Sequence, residues 1–472
     1  MYRQQRYLLV MAPWFVLCIL FSWFLVTGNW IAGAAILVAV FGIICLQQGI
    51  MFLALVWLLG IPTLFVFPNN ILNVLPFVTV DRLLFCALMG MLLWEVIKKK
   101  HHRLNFDEIE KVILAFLGFS MLSLVLNAPG KPLSIIISKD FAFLVQGYMM
   151  PMLTYFLASR LRWNDEQIHK LLWFLCFVGI FLAAIAVLQY FLGITWFVPQ
   201  YMDVIHNLDR ATGTFSNASE FGLVISACLL MTLLLYRQVT KTSQRLFLVL
   251  AMVFILIGLF LCKTRAPWVG CIAGLFLIFC FDKRVRPLMM VGIVGGLIGM
   301  AVMLPILIGS ADIYQRITEI SPIYNRLALW ATGFNMMIDN PILGVGFGGN
   351  SFRDAMPGYI TGFGDVSGQW ATEVGYPHNE FVHIAVMGGV LGLGLYLLLY
   401  TKVALFLRGI YRSSESDPLN HAFSIYIGAI LVSFLFNCLF VDVGKFNYIS
   451  ILMFFLLGIL GSAGRRGLKE KC

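Results

Sequence analysis

The chain has 472 residues, 60% of them hydrophobic and only 12% charged, with a formal net charge of +10. A mean hydropathy of +0.90 excludes an ordinary soluble domain, which cannot cover a solvated surface with so few polar groups. The basic balance fits either nucleic-acid binding or a membrane protein that holds Lys and Arg in its cytoplasmic loops, and the placement of the charges decides.

A helix needs about 20 mostly apolar residues to cross the hydrocarbon core. Such runs predict an all-α polytopic membrane protein with about fourteen transmembrane helices. They lie near 8–26, 30–46, 50–67, 77–97, 112–126, 133–158, 168–192, 221–236, 246–261, 266–281, 288–308, 381–406, 422–440 and 448–460. Around Gln47, Gln48 and Gly49 the pattern admits two short segments or one broken unit. Arg3 and Arg6 before an apolar run, with small residues at 32–35, resemble a secretory signal, but the many later spans favour an uncleaved first helix.

With the N-terminus inside, the predicted cytoplasmic loops hold the basic clusters at 98–103, Arg160 and Arg162, 237–245, 283–286, 402–412 and 465–471. With Arg3, Arg6, Lys111 and Lys170 they contain 23 of the 33 Lys and Arg, as the positive-inside rule requires. The nucleic-acid reading loses its support. One span more or fewer would invert every later loop, so both termini are expected in the cytoplasm. Nine cysteines lie in or at the edge of apolar spans and Cys472 ends the tail, with no disulfide or zinc spacing in the sequence.

Two external loops are long, 193–220 and 309–380. The larger carries Asp312, Glu319, Asp339, Asp354, Asp365 and Glu373 against Arg316, Arg326 and Arg353, so its arginines are not there to orient the chain. Its stretch 323–338 has apolar residues and Trp330 at helical spacing before Asn340-Pro341, which predicts an amphipathic external helix. Gly344-Val-Gly-Phe-Gly-Gly349 follows. A dinucleotide fingerprint needs a strand before it and a βαβ unit around it, so a turning connection is the simpler reading, with a backbone nest for phosphate as the alternative.

Arg210, Arg265, Arg326 and His378 all fall on the external side of this topology. An Arg at a membrane boundary is costly unless paired or hydrated. Singly, a bland explanation, snorkelling or a local ion pair such as Asp209 beside Arg210, stands level with a functional one. Together, fixed planar donors on one face are what a diphosphate requires. His378 has the pKa range for acid/base work, or it caps the following helix. Asn379, Glu380 and His383 come next. His378 and His383 are five apart and diverge on a helix, whereas a zinc pair needs four, so no metal site is expected. Asp81-Arg82 and Lys139-Asp140 read as paired structural charges that could also line a groove; Trp14, Trp23, Trp30 and Trp57 read as interface or packing residues.

Arg210-Ala-Thr-Gly-Thr-Phe-Ser-Asn217, Thr264-Arg265-Ala-Pro-Trp268, Asn325-Arg326-Leu-Ala-Leu-Trp330, Asn340-Pro-Ile-Leu-Gly-Val-Gly346 and Pro377-His378-Asn379-Glu380, then Gly388-Gly389 and Gly392, occur in that order. The ordered set resembles the O-antigen ligase and polysaccharide polymerase superfamily. The likeness runs from Arg210 to Gly392; the first two hundred residues match in hydropathy alone. It implies N-terminal transmembrane helices over 1–200 and a catalytic transmembrane region over 201–472 with the extracytoplasmic loop 309–380. It further implies a metal-independent glycosyltransferase in the cytoplasmic (inner) membrane that needs no cofactor. The glycan comes from a polyprenyl-diphosphate carrier at the outer face, and the acceptor is another glycan or a lipid-anchored sugar. The expected partners are thus donor, acceptor and membrane lipids, with no nucleic acid.

By position, His378 activates the acceptor hydroxyl, Arg265 and Arg326 bind the diphosphate, Arg210 assists at the groove, and Asn217, Trp330, Asn379 and Glu380 support them. The chain departs from the family pattern at Ala218, where Pro is usual, and at Thr264 and Ala266, where Ser and Gly are common beside the Arg. These changes touch loop geometry and spare the charges. Fourteen spans exceed the dozen or so of the ligases, which favours polymerisation slightly. The alternative is a transporter or flippase of lipid-linked sugars, but the sequence shows no repeated halves and the charges lie at the outer surface, not at the midplane.

Overall fold

The computed structural model describes residues 50–64, 79–98, 106–127, 132, 136–194, 210–308, 321–360, 375–413 and 417–469. The predicted spans at 8–26 and 30–46 lie outside the described residues, as do Arg3, Arg6, Gln47 to Gly49, Trp14, Trp23, Trp30, Asp209, Asp312, Arg316, Glu319, Asp365, Glu373 and Cys472.

Among the described residues all regular structure is helical. In chain order the helices are α1 (Ile50–Leu64), α2 (Val80–Lys98), α3 (Glu108–Leu126), α4 (Met150–Arg160), α5 (Asp165–Leu192), α6 (Ala218–Gln238) and α7 (Thr242–Leu261). There follow α8 (Arg265–Phe281), α9 (Arg286–Ile308), α10 (Ser321–Asp339), α11 (Ser351–Ala355), α12 (Glu380–Ser413), α13 (Pro418–Cys438) and α14 (Asn447–Lys469). Leading into α4 are two π-helical stretches, Ile136–Phe141 and Val145–Met149, on either side of Ala142–Leu144.

From residue 50 onward each predicted span coincides with a helix. Seven are long and apolar enough to cross a bilayer: α3, the continuous run Lys139–Arg160, α5, α6, α7, α12 and α13; α1, α8, α14 and the first part of α9 are shorter apolar helices. The chain is an integral membrane protein.

It forms two compact units, one of 1–59 and 84–100, the other of 60–83 and 101–472. In the first, the Trp57 ring lies 5.3 Å from that of Phe85. The second holds every residue discussed below.

Local sequence sets the helix ends. Asp107 and Glu110 form a reciprocal capping box on α3, and Asn164 with Gln167 does the same for α5, which stops at left-handed Gly193. α6 is the central helix: 94% of its apolar window is buried, against 39% for α7. Glycine lets neighbouring backbones close up. Gly270 and Gly274 of α8 abut Ser433 and Ala429 of α13, and Gly458 of α14 abuts Tyr155 and Ala158 of α4.

The polar groups sort to two ends of this bundle. At one, Arg160 pairs with Glu110, Arg237 with Asp282 at 2.9 Å, and Lys402 with Glu108 at 3.3 Å. Tyr426 also donates to Asp282. These are the positions the topology assigns to the cytoplasm. At the other end gather 210–220, 262–265, 377–380 and 439–448: Ala211 donates to Leu261, Gly222 touches Pro267, and Phe215 stacks beside Tyr448.

α12 is broken at Gly389, whose φ of 59° and ψ of −159° suit glycine alone. The glycine segment after α10 lies in the break. Val345 and Gly346 donate to the carbonyls of Val386 and Met387 at 2.8 and 3.1 Å, and Val390 donates to Pro341 at 2.8 Å. Irregular backbone in a membrane protein survives only where such partners exist. Gly344–Gly349 is therefore a tight connection with two N–H groups committed to α12. α10 itself packs on α12 through Leu329, Met336, Phe352 and Val386.

Candidate functional site

The site is built where α12 begins. Asn379 is the N-cap: its Oδ1 accepts from Val382 N–H at 3.1 Å, and its Nδ2 donates to Leu439 O at 3.2 Å. His378, just ahead, is held at φ 50°. A non-glycine residue there costs of order 1–3 kcal/mol and persists only when its surroundings enforce it. The enforcing group is Asp442, buried in the connection between α13 and α14. Its Oδ2 accepts from His378 N–H and its Oδ1 from Asn379 N–H, both at 3.2 Å. A carboxylate at a helix N-terminus is doubly favoured, by charge-assisted hydrogen bonds and by the helix dipole.

The imidazole of His378 is turned to the same carboxylate, Nδ1 to Oδ2 3.9 Å, and is 40% exposed. Its pKa is pushed down to about 4, first by the protein packed around it, then by Arg326 and Lys445. It is therefore neutral at pH 7 and able to take a proton. Burial pushes the Asp442 carboxyl up and the Lys445 ammonium down, and each supports the other's charge.

Two further contacts fix the turn. Trp330 of α10 donates Nε1–H to Pro377 O at 3.0 Å. Glu380, fully buried, accepts Gly444 N–H on Oε2 at 2.9 Å and the Tyr148 hydroxyl on Oε1 at 2.9 Å, with Tyr396 at 3.4 Å. Glu380 thus ties the start of α12 to the 3-10 turn Val443–Lys445 and to the π-helical Val145–Met149. A small cleft adjoins it, lined by Tyr148, Tyr396, Tyr400, Gly444 and Ser450.

Arg326 of α10 stands 5.9 Å from the ring of Phe440. Burial, and then Arg265 beside it, lower its pKa, while Asp442 raises it. Arg265 opens α8 after a sharp turn in which Lys263 is also left-handed (φ 45°) and Trp268 stacks on Phe260 at 5.3 Å. The structure thus brings together His378, Arg326 and Arg265. Arg210 is exposed at the same end, near enough to Cys262 to act on its thiol; among the described contacts it reaches neither Arg326 nor His378. Asn217 caps α6, accepting from Ser219 N–H at 2.7 Å. Trp330 bonds the backbone just ahead of His378, and Asn379 and Glu380 tie the residues just after it to the segment 439–444.

Sequence reasoning missed Asp442, Lys445 and Tyr148, and gave Arg353 and Tyr376 no role. The available signal was a short loop, 441–447, carrying two opposite charges between apolar spans. His383, set aside as a metal ligand, is fully buried with Nδ1 3.8 Å from Asp442 Oδ1. Of the charge pairs expected to be structural, Arg82 donates to Gln146 at 2.8 Å, and buried Asp140 packs beside Gly348.

Fold and site together define a multi-span membrane protein with a basic, imidazole-bearing centre at one end of its helix bundle. Residues 250–397 match the O-antigen ligase family model, which supports the resemblance to the O-antigen ligase and polysaccharide polymerase superfamily over that stretch. The matched stretch includes Arg265, Arg326, Trp330, His378, Asn379 and Glu380, and leaves Arg210, Asn217, Asp442 and Lys445 outside. Comparison with curated proteins gives no match. The family match supports a part in glycan assembly at the membrane.

Proposed function

We propose that the chain transfers or polymerises glycan from a polyprenyl-diphosphate-linked donor at the outer face of the cytoplasmic membrane, building a cell-surface polysaccharide without a metal ion. In this reading both termini are cytoplasmic and the His378 end of the bundle is extracytoplasmic. The acceptor hydroxyl loses its proton to His378 and attacks the anomeric carbon; the bond to the diphosphate oxygen breaks, and polyprenyl diphosphate leaves. With Nδ1 turned to Asp442, Nε2 is the nitrogen free for the hydroxyl. Arg265 and Arg326 stabilise the charge that develops on the leaving group, and Arg210 assists where the carrier enters.

The observation that carries this reading is a neutral imidazole enforced beside a buried carboxylate, with two neighbouring guanidinium groups next to it. Purified wild-type and His378→Ala proteins, given lipid-linked glycan and acceptor, test it. Loss of product in the variant is expected, and transfer at the wild-type rate would overturn the mechanism. Arg265→Lys and Arg326→Lys should also be damaging, since Lys lacks the bidentate fork.

Polymerisation is favoured over ligation on the number of predicted spans. Lipid-linked repeat units supplied alone distinguish them, by a ladder of products or by none until a separate acceptor is added. Broken helices also occur in transporters, but the break in α12 is filled by the chain's own 340–346 connection. Flux of labelled lipid-linked sugar across proteoliposomes without a new glycosidic bond would favour the transporter.

A further inference from the structure

We propose that Arg353 and Lys445, gathered on the ring of Tyr376 beside His378, form a second anion subsite that selects an acceptor bearing a phosphate or carboxylate within a sugar ring or two of the reacting hydroxyl. This rests on the glycosyl-transfer reading and adds the class of acceptor to it.

Three separate chain segments build the feature. Lys445, at the end of the turn Val443–Lys445, places its ammonium against the face of Tyr376, and the Arg353 guanidinium of α11 stands 5.8 Å from the centroid of the same ring. Tyr376 is fixed in turn, donating its hydroxyl to Gly349 O at 3.2 Å, and it precedes His378 by two residues. Cations close to an aromatic ring gain from its quadrupole, yet they repel each other, and Arg353 helps to push the Lys445 ammonium down, after burial. An anion arriving between them relieves that repulsion.

Asp442 and Glu380 face Lys445 and offset part of its charge, but each is divided among other partners. Asp442 is shared among the N–H groups of His378 and Asn379, Arg326 and Lys445, and Glu380 is engaged by Gly444 and Tyr148. Asp354 follows Arg353 in α11 and is exposed to solvent. The donor has one diphosphate, and Arg265 with Arg326 already suits it. A second basic pair, also next to the imidazole but drawn from different elements, fits the other substrate.

The test compares three acceptor glycans that differ only near the accepting hydroxyl: one phosphorylated, one with a uronic carboxylate, one neutral. Full-length protein in nanodiscs is used at saturating lipid-linked donor. Wild type should prefer at least one anionic acceptor over the neutral one by about tenfold in kcat/KM, as a charge-assisted contact allows, and whichever anion is preferred identifies the source. In Arg353→Gln and Lys445→Gln that ratio should fall toward one while donor KM stays near the wild-type value. Equal use of all three acceptors by wild type overturns the proposal. So does a variant that loses rate on every acceptor alike with the ratio intact, or one whose defect lies in donor KM. If no acceptor yields a glycosidic bond with the wild-type protein, the transfer reading itself falls, which is a separate outcome.

Discussion

Asp442 grips the backbone of His378: one carboxylate oxygen accepts that residue's N–H at 3.2 Å and lies 3.9 Å from its Nδ1. The same group therefore holds a strained backbone and faces the imidazole. Asp442→Asn keeps the shape and removes the charge. Charge-assisted hydrogen bonds are worth about 1.5–3 kcal/mol, so the rate of glycan transfer should fall about ten- to hundredfold. The loss should appear in kcat more than in donor KM, read from initial rates at varied donor.

The pH dependence has a definite sign. His378 titrates near 4, held down by packing and by Arg326 and Lys445, and a base works when unprotonated. Activity should hold through neutral pH and fall on acidification toward that value. Lys445→Gln removes one of the depressing charges and one of the groups that lower Asp442, so both groups then take up protons at higher pH. The acid limb of the kcat/KM profile should move upward; an unmoved limb would refute the assignment.

Gly389→Ala tests the break in α12. An alanine at φ 59° and ψ −159° costs about 1–3 kcal/mol from backbone strain, and its methyl would also meet the Pro341 and Ile342 carbonyls. A lowered Tm in detergent is expected. Gly394, in the same helix with open space around it, is the control and should tolerate alanine.

Trp330→Phe keeps the ring and deletes the N–H that holds Pro377 O. At about 0.5–1.5 kcal/mol for a neutral hydrogen bond, transfer should slow by about two- to tenfold, with Tm little changed. Rates and melting curves on one preparation check both halves.

Much of the helical framework was legible because hydropathy reports spans directly. The helix around Trp330 was legible from its spacing and the Asn340-Pro341 stop. The π-helical turns before α4 were not, since no sequence period distinguishes them from α-helix, and they carry Tyr148 to Glu380. Asp442 escaped because its partner is 64 residues away in sequence and meets it only after α13 returns. The glycines at 388 and 389 stood out as a motif, but hydropathy passes through them without a break. Capping by Asn379 could have been read from an Asn immediately before an apolar run.

At residue 389 the ladder of α12 gives way to bonds with the 340–346 connection, so the short segment Glu380–Gly388 takes its bearing from α10 and the loop at 442–445. The long stretch beyond it packs on α13 and α3 and carries the Lys402–Glu108 ion pair. The piece before the break is thus anchored separately from the piece after it, so a tilt of the longer piece in a thicker or thinner bilayer need not carry His378 with it.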